Sequence, residues 1–405
     1  MKGALKHWRE AATVILVAGT KQRAADNVLQ RRGGGDHDHD YRVLLLKRSE
    51  ASGFMPSAYV FPGGVLDASD FSSAWLDVLA PFRGARGKFG LPAVRQPPDT
   101  RPPIFATDRS RGLGSSSSVP GEVALRICAV RETFEESGVL LVVPAKRASV
   151  DDDDDAGPRE RARRPASLAE AAPQPQWDAQ VLARWRSLVI EDARNFIRMC
   201  EQLQCVPNIW ALHEWGNWLT PANPTGSGRR RRYDTAFFMC CLQETPHAAQ
   251  DQKEIVHLKW SSPIEILHSF QAKEMWIAVP QFYELSRMCR LSLLEQLHSF
   301  AQERALEGCE RWLPVRLFTP DNYVMLLPGD SLYQENLDKR EPGSVNMLTD
   351  RSIEELQTDR AALHRIVFRD LFSPTVHINI TPKYKHLVPL FNSAPPRPTK
   401  HSSHL

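Results

Sequence analysis

The segment 131–141, with the sequence RETFEESGVLL, places three carboxylates close together. Because Glu132, Glu135 and Glu136 are spaced i, i+3 and i+4, a helix puts them on one side, where their like charges repel each other. Arg131 is the only cation within the segment. Either solvent or a bound cation must therefore screen these carboxylates.

The same segment has the pattern of a helix that stops at a glycine. Ile127, Val130 and Phe134 recur at helical spacing and form an apolar stripe apart from the glutamates. Gly138 follows, where a helix C-terminus favours a residue that accepts positive φ, and the apolar residues 139–143 predict a strand. This pattern alone also fits an ordinary solvated acidic face, so the order of the residues has to decide.

That order resembles the second half of the Nudix box, the signature of hydrolases that act on nucleoside diphosphates linked to another group. The family pattern is R-E-U-x-E-E-x-G-U, where U is a bulky aliphatic residue, and residues 131–139 depart from it only at Thr133. The first half resembles FPGGVLDASD, in which Asp70 stands where the family usually has Glu. The resemblance implies an α/β fold: the Nudix α/β/α sandwich with a mixed central sheet, here with extra helices toward the C-terminus.

Sixty residues separate the two halves of the box, where the family pattern has seven. The residues 83–120 are rich in Gly, Pro, Ser and Arg, which predicts an insertion loop that projects outward from the protein surface. The residues 148–176 contain five consecutive Asp and predict a charged, linker-like insertion. Because 405 residues with 42% hydrophobic content can bury a large core, we predict a single Nudix domain over 1–400.

Other segments predict secondary structure. The segment 177–203 shows helical periodicity. The separate segment 279–306 predicts one long helix, with Pro280 in its first turn. The residues 233–242 are apolar and aromatic and predict a core strand. AATVILVA at 11–18 is short and also predicts a buried strand, rather than a signal peptide.

The resemblance implies a metal-dependent hydrolase. It makes Glu132, Glu135 and Glu136 the ligands of Mg²⁺, with Mn²⁺ as the alternative, and hard cations of this kind prefer oxygen ligands. Such an ion polarises a phosphoryl oxygen and lowers the pKa of a bound water. Arg131 is expected to orient the glutamates through charge-assisted hydrogen bonds, which makes these four residues the candidate catalytic set.

Four further residues form the framework of the motif, and a fifth residue is a candidate general base. Gly63 and Gly64 let the backbone approach metal and phosphates without a Cβ in the way. Asp70 and Gly138 complete the framework, although Asp70 is shorter than the usual Glu by one methylene. Glu254 is the candidate base, since it lies where relatives carry an acidic loop before a W-x-x-P turn.

Coenzyme A diphosphatases of this superfamily carry an extra signature before FPGG, and this chain keeps part of it. The residues kept are Leu44, Leu45, Arg48 and Ser49, whereas Gly53 and Ser57 replace an Arg and a Gly. The resemblance implies hydrolysis of CoA or acyl-CoA to adenosine 3′,5′-bisphosphate and (acyl-)4′-phosphopantetheine. Arg48 and Ser49 are candidate contacts to substrate phosphate, while the arginines 229–232 fit either such a contact or a solvated loop.

Two alternatives stay open. Gly53 in place of the signature Arg leaves room for another Nudix substrate, such as NADH, ADP-ribose or a capped RNA 5′ end. A non-catalytic Nudix binding module is the second alternative, against which the three intact glutamates argue.

A formal charge of +3 does not predict binding to DNA or to a membrane surface. No stretch reaches the roughly 20 apolar residues of a membrane span.

The end of the chain predicts a location. Ser403, His404 and Leu405 follow the small–basic–aliphatic logic of a peroxisomal address. We therefore predict that 401–405 is a targeting tail and that the peroxisomal import receptor is a partner. The mitochondrion and the cytosol are the alternative locations. Seven Cys without CxxC spacing favour a reducing compartment over a disulfide framework or a zinc site.

Overall fold

The computed structural model describes residues 8–20, 39–82, 89–106, 119–145, 177–221, 232–251, 254–335, 347–358 and 361–390. The linker-like insertion 148–176, the targeting tail with Ser403, His404 and Leu405, and the first three arginines of 229–232 lie outside the described residues. The helices in the described ranges are α1 (Trp75–Val78), α2 (Gly121–Ser137), α3 (Ala179–Glu191), α4 (Asn195–Gln202), α5 (Pro263–Gln271), α6 (Val279–Met288), α7 (Leu294–Ala305) and α8 (Ile353–Gln357). The strands are β1 (Arg9–Gly19), β2 (Tyr41–Arg48), β3 (Tyr59–Val60), β4 (Gly63–Val65), β5 (Val142–Pro144), β6 (Cys205–Pro207), β7 (His213–Leu219), β8 (Tyr233–Leu242), β9 (Ile255–Ser261), β10 (Arg311–Trp312), β11 (Val315–Phe318), β12 (Tyr323–Leu326), β13 (Met347–Leu348), β14 (His364–Phe368) and β15 (Pro374–Ile378).

Eight of the described strands form one mixed sheet. Their order is β10–β7–β8–β1–β2–β3, and β4 also pairs with β1 while β9 pairs with β2. β1 is parallel to β8 and antiparallel to β2 and β4. Every residue of β1 from Ala11 onward is buried, so AATVILVA is a central strand, as predicted. The strand predicted at 233–242 is β8.

The central sheet separates two apolar cores. Along β1, Val14 and Leu16 point into a core that contains Phe134 of α2. Ile15, the residue between them, points to the opposite face and shares a core with Phe282 of α6. Each fully buried side chain of this size stabilises the fold by about 1.5–3 kcal/mol. Helices therefore cover both faces, which confirms the α/β/α sandwich with a mixed central sheet.

A second sheet follows α7. Its five strands have the order β13–β11–β12–β14–β15, and its core includes Trp8, which precedes β1, and Leu219 of β7. Both oxygens of Asp330 accept hydrogen bonds from the buried Arg365 at 2.7 Å. The extra helices toward the C-terminus are thus accompanied by a sheet that the sequence reading did not place. The prediction of one domain over 1–400 stays a prediction. No described helix is both long and apolar enough to cross a bilayer.

The prediction of one long helix over 279–306 is wrong, because the chain forms α6 and α7 with a break between them. The beginning of β2 docks at this break. The hydroxyl of Tyr41 donates to the carbonyl of Leu291 at 2.8 Å, and Oδ1 of Asp40 accepts from the backbone N–H of Leu294 at 2.6 Å. These bonds use backbone groups at the break and satisfy an otherwise orphan N–H at the start of α7.

The segment 177–203 also divides, into α3 and α4. Asp192 adopts an extended conformation after α3, with φ of −154°. The side-chain amide of Asn195 donates to the carbonyl of Leu188 at 2.8 Å and so satisfies the end of α3.

The described part of the box insertion, 89–106, packs against the core beside α2. The prediction that this part projects outward from the protein surface is therefore wrong. Ile104 and Phe105 have no exposed surface and belong to the core beside α2. The side-chain amide of Gln96 donates to the carbonyl of Cys309 at 3.0 Å. The prediction from composition was wrong here because Gly and Pro indicate turns but do not indicate whether a segment is buried.

Candidate active site

The carboxylate segment lies at the C-terminal end of α2. This helix ends at Gly138, which adopts the left-handed conformation with φ of 72° and donates its N–H to the carbonyl of Phe134 at 2.9 Å. Glycine adopts this conformation without the steric penalty of a Cβ. The helix, its apolar stripe and its glycine stop are therefore as the sequence predicts.

Arg131 organises the carboxylates. Its Nε and Nη2 donate to the two oxygens of Asp70, each at 2.9 Å, in a buried fork-to-fork pair. Asp70 lies in the 3₁₀ turn Ala68–Phe71, where its Oδ2 also accepts from the N–H of Asp67 at 2.8 Å. The turn brings the shorter Asp side chain within reach, so the missing methylene does not break the contact.

The same guanidinium reaches two of the glutamates. Nη1 of Arg131 donates to Oε1 of Glu132 at 2.9 Å and to Oε1 of Glu135 at 2.7 Å. Glu136 is directed elsewhere, and its Oε2 accepts from the backbone N–H of Gly63 at 2.8 Å. The buried guanidinium of Arg131 thus bonds to three carboxylates, and the fourth carboxylate, that of Glu136, bonds to the backbone instead.

The two glycines of β4 lie in close approach to their neighbours. Gly63 has φ of 152°, and a Cβ there would collide with the backbone of Ala12 and Thr13 on β1. A Cβ on Gly64 would collide with the carboxylate of Glu132. The backbone of Gly64 therefore lies directly against Glu132, and the approach of both glycines to metal and phosphates stays a prediction.

Burial and the charges of nearby carboxylates raise the pKa of all three glutamates. Desolvation is the largest cause in each case, and it raises the pKa of Glu132 to about 8. The pKa of Glu135 is also raised, and that of Glu136 is raised well above its usual value, with the charge of Glu132 as the next cause. The site is therefore short of positive charge, which a bound cation would supply.

The donor set fits a hard divalent cation. It consists of carboxylate oxygens, and each of the three glutamates uses only one of its oxygens in the hydrogen bonds of the described residues. In the described part of the chain, no three Asp, Glu, His or Cys side chains are grouped as a ready metal shell. Glu132 and Glu135 bond to Arg131 and Glu136 bonds to Gly63, and these three glutamates would hold the ion, which would supply the positive charge that the site lacks.

Glu254 lies beside this cluster. Its charge raises the pKa of Glu135 and Glu136, and its Oε1 accepts from Nη2 of Arg48 at 2.6 Å. Its backbone carbonyl accepts from the N–H of Ser49 at 2.8 Å. Arg48 and Ser49, predicted as phosphate contacts, are thus both bonded to the candidate base, and their role toward substrate stays a prediction.

Arg232, the one described arginine of the basic run, packs within the fold. Its guanidinium lies over the ring of Trp8, 3.6 Å from the centroid, and the residue as a whole is 8% exposed. Burial lowers its pKa to about 10. For this arginine the solvated-loop alternative is therefore wrong.

The sequence reading missed Arg186 of α3. Its Nε donates to the backbone carbonyl of Glu135 at 2.9 Å, and it lies near Gly138 at the end of α2. Nothing in the local pattern distinguishes it from the exposed Arg184 on the same helix. Only the packing of α3 against α2 identifies it.

A helix that presents three glutamates beside a two-glycine strand, within a mixed α/β/α sandwich, defines the Nudix class of hydrolases. A family model described as the NUDT19 Nudix domain matches residues 8–288, and one described as the NUDT19 C-terminal domain matches 316–379. The chain belongs to the NUDT19 family.

Relatives extend over nearly the whole chain. Acyl-coenzyme A diphosphatase NUDT19 of Gallus gallus is 48% identical over 393 residues, which cover 96% of this chain and 97% of that protein. The protein of the same name from Homo sapiens is 43% identical over 382 residues, 94% of each chain. A crystal structure of a Nudix hydrolase from Alicyclobacillus acidocaldarius is similar with a TM-score of 0.45 and 20% identity, covering 73% of this chain and 97% of that one.

Proposed function

We propose that this protein hydrolyses the diphosphate bond of coenzyme A and acyl-CoA, giving adenosine 3′,5′-bisphosphate and (acyl-)4′-phosphopantetheine. The observation that carries the proposal is the cluster of the buried Glu136 with the half-buried Glu132 and Glu135 beside the Gly63–Gly64 backbone. The activity in the names of the full-length relatives supports the substrate.

The proposal includes a divalent metal ion, Mg²⁺ or Mn²⁺, held by Glu132, Glu135 and Glu136. When bound, the ion neutralises charge on the diphosphate, which is the chemistry that cleavage of an anhydride in water needs. Arg131 keeps the side chains of Glu132 and Glu135 on one side of α2. Gly64, which has no Cβ, lets the backbone lie against the carboxylate of Glu132 without a collision.

Glu254 is proposed as the general base. Its side chain is 54% exposed, and Oε1 is bonded to Arg48, which leaves Oε2 to accept the proton of the attacking water. The water oxygen bonds to one phosphorus, the anhydride P–O bond breaks, and the second phosphate leaves. General bases of this kind contribute about 10²–10⁴-fold to rates.

The test compares CoA, an acyl-CoA, dephospho-CoA and ADP-ribose as substrates of the full-length chain. We expect CoA and acyl-CoA to give the highest kcat/KM, chelation by EDTA to abolish hydrolysis, and Mg²⁺ or Mn²⁺ to restore it. Equal rates with dephospho-CoA would show that the 3′-phosphate is not recognised. If none of the substrates is cleaved while Mg²⁺ still binds, the substrate assignment is wrong.

Peroxisomal location is a separate proposal that rests only on the tripeptide of Ser403, His404 and Leu405, with the import receptor as partner. We expect a fluorescent fusion that ends in these residues to enter peroxisomes and a fusion without them to stay outside. Peroxisomal import of the truncated fusion would assign the address to another segment.

A further inference from the structure

Arg48 stands at the end of β2, where the strand pairing is irregular. The register between β2 and β9 shifts between Lys47 and Arg48, and bulges of this kind redirect side chains next to active sites. The side chain of Arg48 is 14% exposed. It therefore extends along the protein instead of into solvent.

The guanidinium of Arg48 has three partners within the protein. Nε donates to the carbonyl of Phe54 at 2.9 Å, and Nη2 donates to Oγ of Ser52 at 2.7 Å and to Oε1 of Glu254 at 2.6 Å. The first two bonds fix the guanidinium to the loop after β2. The third then fixes one oxygen of Glu254 relative to that loop.

The backbone of Glu254 is held at two further points. Its N–H donates to Oδ1 of Asp251 at 3.0 Å, and its carbonyl accepts from the N–H of Ser49 at 2.8 Å. The segment before it is joined to the catalytic helix, because the N–H of Ala249 donates to the carbonyl of Ser137 at 2.9 Å. Glu254 is thus an exposed carboxylate on a fixed backbone beside α2.

We propose that Arg48 is a positioning residue for Glu254, whose carboxylate it aims at the attacking water, and that it is not a contact to substrate phosphate. This inference rests on the proposed function. An ion pair with one exposed partner contributes little to stability, so the pair's effect belongs to orientation. Small displacements of a catalytic group lower rates strongly, which gives the pair a measurable role.

The experiment is a double-mutant cycle with Arg48→Gln, Glu254→Gln and the double variant, measured on CoA with saturating Mg²⁺. We expect Glu254→Gln to lower kcat by about 10²–10³-fold. Arg48→Gln should lower kcat by roughly 10–100-fold, on the scale of a misplaced catalytic group, and leave KM for CoA within about twofold. The double variant should match Glu254→Gln alone, because Arg48 acts only through that carboxylate.

Two further variants support the comparison. Lys47→Gln removes the neighbouring, half-buried cation of β2 and should keep kcat and KM within about twofold, since Lys47 does not belong to the proposed pair. Arg48→Lys keeps the charge but not the fork of donors, so it should fall between the wild type and Arg48→Gln. It also provides the measurement if Arg48→Gln does not fold.

Two results would overturn the inference while wild-type CoA hydrolysis persists. One is a tenfold or larger rise in KM for CoA at unchanged kcat, the signature of a lost phosphate contact. The other is a double variant whose loss equals the product of the two single losses. A wild-type protein without diphosphatase activity would instead overturn the proposed function itself.

Discussion

Replacing Glu136 with Gln is expected to lower kcat for CoA by about 1,000-fold or more. A metal ion supplies several kcal/mol of charge stabilisation in the transition state, and about 4 kcal/mol corresponds to a factor of 10³. Gln has the same shape and still offers an oxygen to the N–H of Gly63, so the fold should persist. Because the pKa of Glu136 is raised well above its usual value, the metal-free variant should be at least as stable as the wild type.

The measurement is kcat at saturating Mg²⁺, together with the thermal unfolding midpoint. Glu122→Gln is the matched control, since Glu122 lies in the first turn of the same helix, and we expect it to keep kcat within a few-fold. A Glu136→Gln variant with more than a tenth of wild-type kcat would remove Glu136 from the metal-binding set.

Replacing Arg131 with Met is expected to lower the free energy of unfolding by about 3–5 kcal/mol, the usual cost of removing one partner from a buried charge pair. Arg131 is 3% exposed and bonds to Asp70, Glu132 and Glu135. Without it these carboxylates face each other without a cation. Added Mg²⁺ should recover part of the loss, because it binds the same carboxylates in the folded state.

Denaturant unfolding with and without Mg²⁺ measures this effect. Arg184→Met on α3 is the control, because Arg184 is exposed and surface substitutions usually change stability by less than about 0.5 kcal/mol. A loss below about 1 kcal/mol for Arg131→Met would mean that the carboxylates relax by taking up protons or water instead of requiring the guanidinium.

The helix α2, which carries the three glutamates, was predictable because its signals are local. The apolar stripe of Phe134 and its neighbours, the glutamate spacing and Gly138 lie within about five turns of one helix. β1 and β8 were predictable for the same reason, since each is an apolar run bounded by polar residues. Order along the chain also pointed to Glu254, whose charge acts on Glu135 and Glu136, and its role as the base stays a prediction.

The break between α6 and α7 and the pairing of Arg48 with Glu254 could not be predicted, because each depends on residues far apart in the sequence. The break between α6 and α7 is set by Tyr41 and Asp40, about 250 residues earlier, which no periodicity within 279–306 reveals. The pairing of Arg48 with Glu254 spans 206 positions. Both are tertiary contacts that override local propensity.

The packing of the insertion against the core indicates how the two halves of the Nudix box can be joined by a long connection. Loop-closure entropy rises only with the logarithm of length, so extending the connection between the box halves from seven to sixty residues costs at most about 2 kcal/mol. Burial of Ile104 and Phe105 returns about 1.5–3 kcal/mol each. The two halves of a catalytic motif are therefore free to separate along the chain, provided that the intervening segment carries a few apolar anchors of its own.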